Sequence, residues 1–333
     1  MKVLSVASEC MPLIKTGGLA DVVGALPGAL KTEDIEMAVL LPGYPAVMAS
    51  LGAGAQEVLA EGDLFGGPGR VLGGTGGGLD LMILDAPHLY DRPGSPYLGA
   101  DGRDWPDNAE RYAALSWIAA RVAARGAEDW RPDILHLHDW QAGFAPLYLR
   151  GMEGGGQVRS MLTIHNIAFQ GLAPANRLES LRLPASVFHP EGVEYYGQIS
   201  ALKAGLVFAD RLSTVSPTYA TELTTPAFGM GLDGVLRARA ADLSGILNGI
   251  DDGLWDPAND SDLVSRYKTP RGKAANRAAL RQEFGLSDAP GPLCVIVSRL
   301  TEQKGIDLVL DALPALLERG GQLALLGSGD AKY

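Results

Sequence analysis

Short apolar runs rich in β-branched residues recur along the chain, and longer amphipathic stretches separate many of them. Such runs, bounded by polar loops, are typical of buried strands. Because strands that alternate with helices form βαβ units, the pattern predicts a parallel sheet covered by helices on both faces. The six predicted strands are KVLSVAS (2–8), MAVLLP (37–42), LDLMILDA (79–86), DILHLH (133–138), RSMLTIH (159–165) and RLSTVS (211–216).

The clearest helical pattern is DNAERYAALSWIAARVAARG, residues 107–126. Asp107 and Glu110 have the spacing of a capping box, and Gly126 supplies a stop. Residues 52–78 differ from the rest, because two glycine clusters interrupt short apolar runs there. That segment predicts hairpins joined by surface loops.

A chain of 333 residues exceeds one typical core, so two domains are expected. Residues 256–275 are polar and contain Pro257, Pro270 and Gly272, which is typical of a linker. A second α/β unit follows, with the strand PLCVIVS, the helix KGIDLVLDALPALLERG and the strand QLALLG. Pro314 is expected to kink or open that helix. Two strands and one helix cannot close a core alone, so this unit either packs on the first domain or is a fragment.

The net charge of −11 argues against nucleic acid as a partner, since nucleic-acid binding requires a basic surface. The sequence contains no run of about 18 apolar residues, so no membrane span is predicted. The N-terminus is interpreted as a first strand rather than a signal peptide. Cys10 and Cys294 are the two cysteines, which fits a reducing cytoplasm. Cys294 lies within LCVIV and is expected to be buried.

Polar residues gather where predicted strands end, for example Asp139-Trp140 after DILHLH and Asn166 after MLTIH. In doubly wound sheets, ligands bind in the crevice beyond the carboxyl ends of the strands. Polar clusters at five such ends therefore predict a ligand site at this edge of the sheet.

The stretch LIKTGGLADVVGALPGAL, residues 13–30, sets Lys15 and the pair Gly17-Gly18 directly before a predicted helix. Flexible backbone, unpaired N–H groups and a positive helix end predict a phosphate site, with the lysine adding a charge. The alternative is an ordinary helix N-terminus. Arg299 and Lys304 flank a second strand-to-helix loop and could reach an anion there, or could be a solvated pair.

His136 and His138 share one strand face beside Asp139, and His165 with Asn166 follows the next strand. A metal site is conceivable, but further ligands at recognisable spacing are missing. A hydrogen-bonded lining for a sugar is the favoured interpretation, because imidazole and amide groups pair with hydroxyls.

Four further positions carry weaker or no functional signals. His136 is expected to be a core residue whose hydrogen bonds are satisfied within the protein. Tyr97 and Trp140 could be stacking platforms or core residues, and the GxG beginning at Gly327 is a weak signal for a phosphate or ribose contact.

Seven motifs follow one another along the chain: KTGGLADV, APHLYDRPGSPY, HLHDW, TIHNIAFQG, STVSPTYA, GILNGID and SRLTEQKG. As a set, they resemble those of the bacterial glycogen synthases and the related starch synthases. They run in order over nearly the whole chain. The glycine-rich segment 52–78 and the stretch 256–290 look variable.

The resemblance implies an α/β fold of GT-B type, in which two Rossmann-like doubly wound domains face each other across a cleft. It implies a catalytic N-terminal domain at 1–245 and, at 246–333, the interdomain crossing with an incomplete nucleotide-sugar-binding domain. The implied reaction transfers glucose from ADP-glucose to the non-reducing end of an α-1,4-glucan, with retention of configuration and with neither metal nor cofactor.

The resemblance also implies roles for single residues. Lys15, Gly17 and Gly18 would hold the donor's phosphate and glucosyl side, with Thr16 in the same motif and Asp21 shaping the loop. Asp139, His165 and Asn166 would line the glucosyl and acceptor pocket. The remaining implied site residues are Tyr97 near the nucleotide or acceptor, Asn248 near the crossing, Arg299 and Lys304 on the leaving diphosphate, and Gly327 with Ser328 on the donor.

Family members continue past GSGD through an EPCGL-type segment whose acidic residue has no counterpart here, so weak donor binding and little turnover are expected of this chain. The residues themselves leave two alternative functions open. One is a glucan- or nucleotide-binding module without catalysis. The other is a Rossmann dehydrogenase, against which the lack of a complete GxGxxG after a strand argues.

Overall fold

The computed structural model describes all 333 residues, which fall into two units, Met1–Ile250 and Asp251–Tyr333. The first unit contains the strands β1 (Lys2–Val6), β2 (Glu36–Pro42), β3 (Gln56–Glu61), β4 (Gly69–Gly76), β5 (Leu79–Asp85), β6 (Ile134–His138), β7 (Arg159–Ile164), β8 (Leu172–Pro174), β9 (Glu194–Tyr195), β10 (Gln198–Ser200), β11 (Arg211–Thr214) and β12 (Leu243–Gly245). All six predicted strands are present.

Nine of these strands form one sheet in the order β12-β11-β7-β6-β1-β2-β5-β4-β3. The pairs from β12 to β5 are parallel, as the sequence predicts. The predicted glycine-rich hairpin is β3–β4, which continues the sheet antiparallel at its edge, with a bulge between Glu57 and Leu59. The chain runs outward from β1 through β2 to β5, and outward on the other side from β6, so the strand order reverses between β1 and β6.

Helices cover the sheet of the first unit and bury its apolar side chains. They are α1 (Gly18–Lys31), α2 (Pro45–Ser50), α3 (Pro87–Tyr90), α4 (Asn108–Arg125), α5 (Ala145–Gly151), α6 (Ala201–Phe208), α7 (Pro217–Leu223) and α8 (Asp233–Ala238). No helix of the chain is both long enough and apolar enough to cross a membrane.

The helix α4 begins and ends where predicted, but its capping box is absent. The Asp107 side chain makes no cap hydrogen bond. It pairs with the Arg92 guanidinium, whose Nη1 lies 2.7 Å from Asp107 Oδ1, while Glu110 binds Arg177 at 2.9 Å. The prediction is wrong because each carboxylate finds a charged partner from a distant segment, and a charge-assisted bond outcompetes a local cap. Gly126 ends the helix at φ 81°, a value that favours glycine.

The second unit holds β13 (Leu293–Val297) and β14 (Gln322–Leu326), a parallel pair, with α9 (Ala274–Glu283) and α10 (Ile306–Glu318). Helix α10 runs unbroken through Pro314, so the predicted opening of its second half is absent. Cys294 is exposed rather than buried, because two strands leave part of each strand face uncovered.

A buried cation, Arg111 of α4, organises the loop after α3. The residue is 1% exposed, and its guanidinium donates to the carbonyl oxygens of Leu89 and Pro96, each at 2.8 Å. The rings of Tyr90 and Tyr112 lie 5.6 Å from its Cζ. Carbonyl oxygens and aromatic faces, rather than a carboxylate, therefore hold this charge.

We predict that Arg111→Met lowers the free energy of unfolding by about 3 kcal/mol, because it leaves buried carbonyl oxygens without donors. Urea denaturation monitored by circular dichroism measures the change. Arg125→Met is the matched control, since Arg125 lies exposed in the last turn of the same helix and its replacement should cost little. Equal losses in the two variants would contradict this account.

Candidate functional site

The carboxyl ends of β7, β6 and β1 lie side by side, and each is followed by polar residues. His165 and Asn166 follow β7, Asp139 follows β6, and Ser8 with Glu9 follows β1. The strand order reverses between β1 and β6, which is where open α/β sheets bind ligands. The first unit therefore contains a candidate site at this edge.

Glu9 is the residue that organises the site, and sequence reasoning missed it. Its side chain is buried, and its carboxylate accepts hydrogen bonds from the Thr16 N–H, the Thr16 hydroxyl at 2.6 Å and the Gly17 N–H at 3.1 Å. The Tyr97 hydroxyl donates to the same carboxylate. One buried charge thus ties the loop before α1 to a tyrosine 88 residues away. The available signal was an acidic residue directly after the first strand.

The loop before α1 differs in detail from the sequence expectation. The N–H groups of Thr16 and Gly17 are not open to a ligand, because Glu9 accepts from both. The helix itself begins at Gly18, whose N–H belongs to the first turn and has no partner within the helix. The Lys15 ammonium lies 2.6 and 2.7 Å from the two Asp21 oxygens, and both side chains are partly exposed.

The two glycines of this loop are not required by the packing of the protein. A Cβ atom added at Gly17 or at Gly18 would meet no atom within 4 Å. Gly24 on the same helix behaves differently, since a Cβ there would lie 2.3 Å from the Met11 carbonyl oxygen. The space beside Gly17 and Gly18 is therefore open to something other than this unit's own side chains.

Asp139 combines burial with an unusual backbone. Its φ of 53° and ψ of −164° fall close to a region that almost only glycine occupies, and such strain costs about 1–3 kcal/mol. Its Oδ1 accepts from the backbone N–H of His165 at 2.7 Å and of Asn166 at 3.3 Å. Burial raises the pKa of Asp139 to about 7, the two N–H donors oppose that rise, and the charge of Glu9 adds to it. Strain and a near-neutral pKa together make Asp139 a candidate functional residue.

A stripe of polar side chains runs beneath the site, formed by Ser5, His136, His138, Thr163 and Ser213, all buried. His136 Nε2 lies 2.7 Å from Thr163 Oγ1, which lies 2.7 Å from Ser213 Oγ. His136 is a satisfied core residue, as expected. No group of three or more His, Cys, Asp or Glu side chains in the chain is arranged to hold a metal ion.

The two aromatic residues that could be stacking platforms or core residues, Tyr97 and Trp140, differ in their surroundings. The Tyr97 hydroxyl lies 2.8 Å from Ser8 Oγ besides bonding Glu9, and burial raises the pKa of that hydroxyl well above its usual value, with Glu9 adding to the rise. Trp140 packs edge-on against Tyr112, with ring centroids 4.9 Å apart. A Cβ at Gly171 would lie 2.2 Å from the indole of Trp140. Trp140 is therefore a half-buried side chain that packs against the core.

The remaining predicted residues lie elsewhere. Asn248 is exposed after β12. In the second unit, Arg299 and Lys304 are exposed between β13 and α10. After β14, a Cβ at Gly327 would lie 2.0 Å from the Ser298 carbonyl oxygen, and the Ser328 carbonyl accepts from the Leu300 N–H at 2.9 Å. Packing within the second unit thus accounts for glycine at 327.

Comparison with known proteins identifies the family. Residues 2–238 match the family described as the starch synthase catalytic domain. The glycogen synthase of Paracoccus denitrificans is 66% identical over 331 residues, which cover 99% of this chain and 68% of that protein. The glycogen synthase of Cereibacter sphaeroides is 61% identical over 332 residues, with the same coverage of each chain. The chain thus spans about two thirds of the length of these relatives.

Solved structures agree with the sequence relatives. The catalytic domain of starch synthase IV from Arabidopsis thaliana, bound to ADP and acarbose, superposes with a TM-score of 0.83 at 31% identity, covering 99% of this chain and 69% of that one. Sucrose-phosphate synthase from Thermosynechococcus elongatus, at 15% identity and a TM-score of 0.53, covers 100% of this chain and 63% of that one and shares the fold alone.

These neighbours are GT-B glycosyltransferases, so the predicted fold class is confirmed. Neither a dehydrogenase nor a module without catalysis is favoured, because proteins named glycogen synthase align with nearly the entire chain. The chain belongs to the glycogen synthase and starch synthase family of glycosyltransferases.

Proposed function

We propose that this glycosyltransferase moves glucose from ADP-glucose to the non-reducing end of an α-1,4-glucan, with retention of configuration. The observation that carries the proposal is the loop braced by Glu9 beside Asp139, at the point where the strand order reverses. A solved relative carries ADP and acarbose, which supports a nucleotide-sugar donor and a glucan acceptor. We expect the enzyme to act in the cytoplasm.

The donor's phosphates would sit at the start of α1. The Gly18 N–H and the positive helix end attract an anion, and the open space beside Gly17 and Gly18 allows close approach. Lys15 would supply a full charge, held in place by Asp21. Thr16 would act indirectly, since its N–H and hydroxyl already bind Glu9.

The glucosyl unit and the acceptor would lie over Asp139, His165 and Asn166, with Tyr97 at the margin. Burial lowers the pKa of His165 to about 4, so a neutral imidazole would face the sugar near pH 7. Neutral imidazole and amide groups suit hydroxyls, because each offers both a donor and an acceptor.

Residues of the second unit, together with Asn248 near the end of the first, complete the proposal. Negative charge grows on ADP as the glycosidic bond breaks, and preorganised cations stabilise that charge. We assign this role to Arg299 and Lys304, with Gly327 and Ser328 contacting the donor and Asn248 near the crossing. Residues 1–245 would then form the catalytic domain and residues 246–333 the crossing and part of the nucleotide-sugar domain.

Radiolabelled glucose transfer tests the reaction. We expect ADP-glucose to label glycogen more efficiently than UDP-glucose, and EDTA to leave the rate unchanged. The glycogen synthase of Paracoccus denitrificans, assayed alongside, is the positive control. A strict preference for UDP-glucose, or loss of transfer in EDTA, would overturn the proposed donor or the absence of a metal requirement.

We predict that Gly18→Ala weakens ADP binding by about tenfold, a loss of about 1.4 kcal/mol, because the new methyl group occupies the proposed phosphate space. The free energy of unfolding should hold or rise, since no atom lies within 4 Å of the added Cβ. Isothermal titration with ADP and urea denaturation measure the two effects.

Gly28→Ala is the matched control for this variant. Gly28 lies ten residues further along the same helix and also has open space around its Cβ position. ADP affinity should be unaffected there. Identical ADP affinities for the Gly18 and Gly28 variants would rule out a phosphate at the start of α1.

We predict that Asp139→Asn stabilises the protein more at pH 8 than at pH 5. Burial raises the pKa of Asp139 from 3.8 to about 7. Between those two pH values the folded protein therefore retains a proton on Asp139 that the unfolded chain loses. The stability of the parent protein therefore falls as pH rises through this window, and the variant escapes a penalty on the order of 2 kcal/mol.

Urea denaturation of both proteins at both pH values measures the effect. Asp80→Asn is the control, because Asp80 lies exposed on β5 and solvent screens its charge. A gain of the same size at pH 5 and pH 8 would refute the assignment of the proton to Asp139.

A further inference from the structure

A chain of three hydrogen-bonding side chains connects the interior of the sheet to His165. Ser5 Oγ lies 3.1 Å from His138 Nε2, and His138 Nδ1 lies 3.0 Å from His165 Nε2. Ser5 and His138 have no exposed surface. The second ring nitrogen of His165, Nδ1, has no protein partner and belongs to a half-buried ring at the carboxyl edge of the sheet.

Both imidazoles are neutral at physiological pH. Burial lowers the pKa of His138 well below its usual value, with further lowering from His136 and His165, and burial lowers the pKa of His165 to about 4. A neutral imidazole carries one N–H, so its two nitrogens have opposite roles. The proton position on one ring therefore determines the proton position on the next.

Two arrangements of protons satisfy both distances. In the first, the Ser5 hydroxyl donates to His138 Nε2, His138 Nδ1–H donates to His165 Nε2, and His165 Nδ1 carries a proton. In the second, every bond is reversed, and His165 Nδ1 presents a lone pair. The two arrangements offer a ligand at His165 opposite hydrogen-bonding partners.

Ser5 decides between them. Its hydroxyl has one hydrogen-bond partner, His138 Nε2, and the side chain is fully buried. In the second arrangement His138 donates to Ser5, and the serine proton is left in the interior without an acceptor, which is costly. In the first arrangement every polar hydrogen of the chain between Ser5 and His165 Nε2 has an acceptor.

We infer that Ser5 and His138 act as positioning residues, fixing His165 as the tautomer with its proton on Nδ1. His165 would then present a hydrogen-bond donor to an oxygen of the sugar rather than an acceptor to a hydroxyl. This inference rests on the proposed function for its ligand, since His165 is assigned to the glucosyl pocket. The tautomer itself is a property of the protein alone.

Nitrogen NMR of the full chain labelled with ¹⁵N-histidine tests the tautomer directly. Neutral imidazole nitrogens with and without a proton differ strongly in chemical shift, and the His165 signals are assigned by their loss in His165→Gln. We expect protonated Nδ1 to exceed protonated Nε2 by more than about tenfold near pH 7. A proton on His165 Nε2 in the parent protein would overturn the inference outright.

Ser5→Ala should reduce the excess to less than about threefold, because either arrangement then leaves no serine proton unpaired. Ser5→Thr retains the hydroxyl and should restore the parent spectrum. Ser213→Ala is the matched control, because it removes a buried hydroxyl of the same stripe that contacts Thr163 rather than His138. If Ser5→Ala keeps the parent tautomer ratio, Ser5 has no such role.

Kinetics separates this inference from the proposed function. Within a working transferase, we expect Ser5→Ala to lower kcat by about threefold to thirtyfold with KM for the donor nearly unchanged, and Ser213→Ala to leave both constants intact. A parent protein with the expected tautomer but no glucose transfer would refute the proposed function, while the inferred positioning of His165 by Ser5 and His138 would stand. A working transferase with His165 protonated on Nε2 would refute the inferred tautomer and leave the proposed function intact.

Discussion

The candidate site depends on one buried carboxylate. Glu9 accepts from Thr16, Gly17 and Tyr97, and so holds a flexible loop and a distant tyrosine against the end of β1. A buried charge is tolerated only when its lone pairs are satisfied, so the loop and the carboxylate stabilise each other. The hydrogen bonds to Glu9 fix the backbone of the loop before α1, which glycine would otherwise leave free to adopt several conformations.

The site divides into two layers with different chemistry. Lys15 and Asp21 lie near the surface, where solvent screens their charges, whereas Asp139, His136 and His138 are buried away from solvent. An anion can reach the outer layer without displacing buried groups. At pH 7 His165 is neutral and Asp139 is about half protonated, so the inner layer carries little charge, which suits a sugar. This difference in exposure and charge is the basis for assigning the phosphates to the outer layer and the glucosyl unit to the inner layer.

The strands were predictable because their β-branched apolar runs leave little alternative in water. The polar clusters after the strands were predictable because the carboxyl ends of parallel strands lie at one edge of the sheet. The contact of Glu9 with Tyr97 was not predictable, because the two residues lie 88 positions apart in the chain. The capping box at Asp107 failed because Arg92 competes for the carboxylate, and Cys294 is exposed because strand propensity says nothing about what covers a strand. Local pattern identifies elements, and tertiary partners decide what their side chains do.

The hairpin β3–β4 has a consequence for the solution behaviour of the molecule. A parallel sheet that stopped at β5 would expose a row of unpaired backbone groups to other chains. The hairpin moves that border outward to β3, whose ladder is interrupted by the bulge between Glu57 and Leu59. Charged and irregular borders resist strand addition. The glycine-rich segment 52–78, which looks variable in the sequence, thus gives the sheet an irregular outer edge of the kind that resists strand addition.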